Sequence, residues 1–84
     1  MDTNLETQLI PSPLNSSLYM DAIRMGQQVL LEQGSNAAAA IEIFKFLKEE
    51  SREVVLQAFI EGANITPKGS PIYFYNVTLT NNSP

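Results

Sequence analysis

The sequence predicts a mainly α (α+β) fold in one small domain: an antiparallel helical hairpin, a third short helix, and a C-terminal β-strand or small hairpin. Three observations carry this. Apolar residues recur every three and four positions after Ser17, the break at Gly34-Ser35 leads straight into four alanines, and Ile72–Thr80 is dense in aromatic and β-branched residues. At 84 residues the chain holds one domain at most. We divide it into an extended N-terminal arm (1–16), a helical domain with its C-terminal strand (17–80), and a polar tail (81–84).

In the arm, Pro11 and Pro13 enclose Ser12. Proline fixes its own φ and pushes the preceding residue towards extended geometry, so no helix is expected there. Leu9 and Ile10 are its only strong apolar pair. The first helix follows, with Ser16 or Ser17 as cap and Gly34 as the residue past its last turn. Tyr19, Ile23, Gly26 and Leu30 form its apolar stripe. Glycine inside a helix costs about 1 kcal/mol relative to alanine, so Gly26 predicts close approach of another helix.

The short connection Gln33-Gly34-Ser35 turns the second helix back beside the first, with Ser35 as its cap and Ala37–Ala40 allowing tight packing. Further along, Ile41, Phe44 and Leu47 share one face, while Ile43 and Phe46 lie on another. Two apolar faces on one helix need two covers, from the same chain or from a second one.

Ser51 caps a third helix running from Arg52 to about Glu61. A continuous helix over 36–61 and a strand over 54–66 are the rival readings. Thr66-Pro67-Lys68-Gly69 reads as a type I turn. The strand after Pro71 places Tyr73, Tyr75, Val77 and Leu79 on one face. A lone strand leaves its backbone groups unpaired. Its available partners are Ala63–Thr66, Leu5–Ile10, or the same strand of a second copy.

The stretch from Glu32-Gln33-Gly34 to Ala40-Ile41-Glu42-Ile43-Phe44 resembles the middle of a tetratricopeptide repeat. The spacing from Gly34 to Ala40 departs from that pattern by one residue, and the chain contains no second copy. A lone repeat cannot bury its own face, so no function is carried over.

Composition excludes several function classes. The chain has no cysteine or histidine, which removes disulfide scaffolds, Cys/His zinc sites and the usual His- or Cys-based catalytic centres. Nine acidic and five basic residues give a net charge of −4, which argues against binding nucleic acid through clustered cations. Glu49, Glu50 and Glu53 form the one dense acidic group, a pattern that ordinarily marks a solvated helix end. Tyr19, Tyr73 and Tyr75 are possible stacking platforms for bases, but alternating tyrosines are more often half-buried packing. No catalytic residue, cofactor or metal is expected. No apolar run is long enough for a membrane span and the N-terminus has no secretory pattern, so a cytoplasmic location is expected.

The sequence therefore predicts a small soluble non-enzymatic protein acting through protein–protein contact, as an adaptor or regulator, and forming a homodimer. Its expected interface residues are Ile43, Phe46, Tyr73, Tyr75 and Val77. The alternative is a winged helix-turn-helix transcriptional regulator that reads DNA with its second helix and uses residues 59–80 as the wing.

Overall fold

A computed structural model describes residues 12–81, and among these it shows four helices and no strand. They are α1 (Ser16–Gln33), α2 (Asn36–Phe46), α3 (Arg52–Gly62) and α4 (Ser70–Asn81). The helical hairpin and the third helix are present. Most of the expected arm, including Leu9 and Ile10, lies outside the described residues, as do positions 82–84. Ser16, placed in the arm, is already helical, and Asn81, placed in the tail, ends α4.

Local chemistry sets the helix ends. The cap of α1 is Asn15, whose side-chain oxygen accepts from the Leu18 N–H at 3.0 Å; neither Ser16 nor Ser17 fills that role. Two further N–H groups ahead of the helix, those of Leu14 and Asn15, donate to the Glu50 carboxylate at 2.8 and 3.1 Å. Gly34 closes α1 in the left-handed conformation at φ 66°, its N–H donating to Leu30 O. Ser35 then caps α2 by accepting from Ala38 N–H. Replacing Asn15 by alanine is expected to lower stability by about 1 kcal/mol, whereas Ser16→Ala and Ser17→Ala stay within about 0.5 kcal/mol of wild type. Urea denaturation of the three variants checks the assignment of the cap.

The continuous helix over 36–61 does not form. The chain leaves α2 at Leu47, and Ser51 starts α3 by accepting from Val54 N–H at 3.4 Å. A serine at that position offers the backbone a cap where unbroken helix would have to continue. The rival strand over 54–66 is also absent, because Val54, Val55, Ala58 and Phe59 lie on the buried face of α3. Helix α3 ends at Gly62 with Ala63 as its cap, and Asn64 after it takes a positive φ of 56°. Beyond it, Ile65 N–H donates back to Phe59 O.

The expected C-terminal strand is replaced by α4. Side chains rich in β-formers favour a strand only where another strand pairs with it, whereas a helix pairs its own backbone. Thr66–Gly69 is the winding into this helix: Thr66 Oγ1 accepts from Gly69 N–H, and Ser70 N–H donates to Thr66 O, four residues back. Pro71 sits in the first turn, where its missing N–H has no cost. Ser70 is buried and its hydroxyl donates to Leu56 O at 2.9 Å, pinning α4 to α3.

Helices α1, α2 and α3 pack on one another, and α4 lies across α2 and α3. Their core is Ile23, Val29, Ile43, Leu47, Val55 and Phe59, with Ala22, Ala39, Ala40 and Ala58 as small spacers. The closest approach is at Gly26. A Cβ placed there would lie 2.6 Å from the backbone oxygen of Gly62 and 2.6 Å from Ile43 Cδ1. The expected approach of a helix at Gly26 is thus made by the backbone of α3, with an α2 side chain filling the angle between.

Candidate interaction surface

Helix geometry redistributes the five expected interface residues. Ile43 is completely buried beneath Gly26 and Gly62. Its face of α2 is covered by α1 and α3, and the opposite face by α4, where the Phe44 and Phe74 rings meet edge to face at 6.2 Å. The Arg52 guanidinium lies over the Phe74 ring, 5.6 Å from its centre. Full cover for Ile43, and part of that for Phe44, therefore comes from within the chain. Phe46 is half-buried and lines an open groove of about 380 Å³ with Asp21, Arg24, Met25 and Gln28.

On α4 the alternation expected of a strand is lost, because successive residues turn by about 100°. Val77 points inward and is 4% exposed. Tyr73 is half-buried, and with Val77, Asn76 and Thr80 it borders a groove of about 180 Å³ against Ala37 and Ile41 of α2. Tyr75 faces outward at 64% exposure. The structure thus separates Tyr75 from Tyr73 and Val77, and joins it to Ile72 and Leu79, which are 62% and 54% exposed. These three form one outer stripe at spacings of three and four.

The strand reading left Ile72 and Leu79 out of the expected interface, although it set Leu79 on the face of Tyr75. The signals that could have found them are Pro71 at a position suited to a first helical turn and the 72/75/79 spacing itself. Two of the polar side chains beside the stripe donate within their own helix. Thr78 Oγ1 donates to Tyr75 O at 2.9 Å, and Thr80 Oγ1 donates to Asn76 O at 3.0 Å. No Asp, Glu, Lys or Arg occurs anywhere in α4, while each of the other three helices carries both acidic and basic residues.

Tyr19, Gln57, Glu61 and Glu50 are engaged structurally. Tyr19 donates its hydroxyl to Glu61 Oε1 at 3.0 Å, and Gln57 donates to the other oxygen of that carboxylate. Burial, this hydrogen bond and the charge of Glu61 hold the phenol well above its ordinary pKa. Glu50 is occupied by the two N–H groups ahead of α1, and among the described residues no three acidic side chains converge as a metal site. No helix among the described residues is long and apolar enough to cross a membrane.

Ala39, Ala40 and Ile43 of α2 point into the core, and the segment expected to form the wing contains α4. The chain matches no protein-family model, and no curated protein or solved structure is significantly similar to it.

Proposed function

We propose that this chain is a non-enzymatic protein that works by protein–protein contact, as an adaptor or regulator, with the outer face of α4 as its contact surface. The observation that carries the reading is the Ile72–Tyr75–Leu79 stripe on a helix without a single charged side chain. Charged residues keep solvent-facing helices soluble and apart, and their depletion with aromatic enrichment characterises the centre of an interface. Tyr75 has the properties of an anchor: a large apolar body, a polar tip and few rotatable bonds. The absence of cysteine and histidine from the sequence supports a non-catalytic role.

Site-specific photocrosslinking tests this. With p-benzoylphenylalanine in place of Tyr75, irradiation of the native cells is expected to give an adduct of discrete mass. The same probe in place of Glu53, an exposed residue of α3, gives none. A Tyr75 probe that captures no protein refutes the contact surface.

A further inference from the structure

We infer that the groove between α1 and the end of α2 is the seat of the chain's own N-terminal arm, with Leu9 and Ile10 packed on Phe46 and Met25. This contact is separate from the one proposed for α4 and does not depend on it. The groove is open, holds about 380 Å³, and has the half-buried Phe46 and Met25 as its apolar lining.

The point at which the arm leaves the fold is what selects it as the occupant. The N–H groups of Leu14 and Asn15 donate to the two oxygens of Glu50, four residues after Phe46, so the arm departs beside the end of α2. Pro13, on the arm side of this tether, is half-buried, which sets the departing chain against the protein surface. Reach then matches. Pro11 and Pro13 favour an extended form that advances about 3.1 Å per residue, so Ile10 and Leu9 can reach points about 12 and 16 Å from Leu14. Helix α1 rises about 1.5 Å per residue, so Arg24 and Met25 lie about 14 and 15 Å beyond Asn15. The groove beside α4 is more remote: its Ile41 and Ala37 lie about 8 and 14 Å further along α2 than Phe46.

A separate protein would gain little from this site. Its five lining residues are far below the roughly 20–30 residues a side of a standard interface. A segment joined through a short linker is present at millimolar effective concentration and needs no such area.

Polar groups on both sides are accounted for. Asp21 and Arg24 pair with each other at the rim, and Gln28 donates to Glu32 at 3.1 Å, so an apolar occupant strands none of them. On the arm, Pro11 and Pro13 carry no N–H to satisfy, and the openness of the groove leaves the other backbone groups facing water.

Nuclear magnetic resonance reads the contact without any substitution: Overhauser effects are expected from the Leu9 and Ile10 methyls to the Phe46 ring and the Met25 methyl. Their absence overturns the docking. The double variant Leu9→Ser/Ile10→Ser is expected to lower the folding equilibrium constant about fivefold in urea titrations, but less than about twofold when Phe46 is already alanine, because residues in contact depart from additivity. Phe46→Leu replaces Phe46→Ala if the latter fails to fold. An equal loss in both backgrounds overturns the groove as the seat. A loss that grows with protein concentration gives the arm to the groove of a second copy and overturns the contact within one chain.

Discussion

Replacing Gly26 by alanine is expected to destabilise the protein by about 2 kcal/mol, even though alanine is the better helix former. The helix-propensity gain of about 1 kcal/mol is set against a Cβ that would stand 2.6 Å from Gly62 O and 2.6 Å from Ile43 Cδ1. The Ile43 atom is the end of a side chain and can rotate. The Gly62 oxygen belongs to the backbone of α3, so relief requires the two helices to separate and the core between them to loosen. Overpacking of this kind costs about 1–3 kcal/mol, and here it takes the upper part of that range.

For a domain of this size each kcal/mol moves the melting midpoint by about 4–8 °C, so thermal denaturation resolves the effect. Two companion variants locate its cause. Gly62→Ala is expected to cost less, because its nearest obstruction is Ile43 Cδ1 at 2.9 Å, while the backbone contact at Ile23 Cα is looser at 3.1 Å. Adding Ile43→Val to Gly26→Ala removes the methyl but leaves the carbonyl, so it offsets part of the Gly26→Ala penalty and departs from additivity. A Gly26→Ala protein as stable as wild type would show that α1 and α3 do not approach as described.

What was legible in the sequence divides according to how local the deciding physics is. Gly34, Ser35 and Ser51 were readable as helix ends because a cap is chemistry among neighbours: a hydroxyl reaching an N–H three residues on, or a residue that tolerates positive φ. Gly26 was readable because a glycine in a helix interior has a cost that only packing returns. The cap of α1 was missed by one position, since Asn15, Ser16 and Ser17 are all competent and the choice depends on where the chain bends towards Glu50.

Helix α4 was not legible because its composition and its circumstances disagree. Ile72-Tyr73-Phe74-Tyr75 and Val77-Thr78 prefer a pleated surface, but no strand among the described residues is there to pair with them. Backbone pairing decided against side-chain preference. The error then propagated to the candidate site. A period of two put Tyr73, Tyr75 and Val77 together, whereas a period of 3.6 sends Val77 into the core and gives Tyr75 to Ile72 and Leu79. Ile43 failed for a related reason. The second apolar face of α2 required a cover, and the sequence could not place α3 and α4 closely enough to show that the chain supplies its own.

Ile43→Ala is the variant that separates these two views of the second helix. In the structure Ile43 has no exposed surface, and it fills the space between Gly26 and Gly62 that neither glycine can fill. Removing its outer carbons opens a cavity whose walls are helix backbones, which close poorly, and the expected loss is about 2–5 kcal/mol. The usual reserve of stability is about 5–15 kcal/mol, and a domain this small lies towards its lower end. Much of it disappears in one substitution. The urea midpoint is expected to fall sharply, with little change in slope and the same shift at every protein concentration. An interface residue would behave otherwise: its truncation would leave the dilute protein's midpoint in place and weaken association alone. Ile72→Ala serves as the opposite control. Its side chain is 62% exposed, so it is expected to shift the dilute midpoint by no more than about 0.5 kcal/mol while weakening the contact proposed for α4.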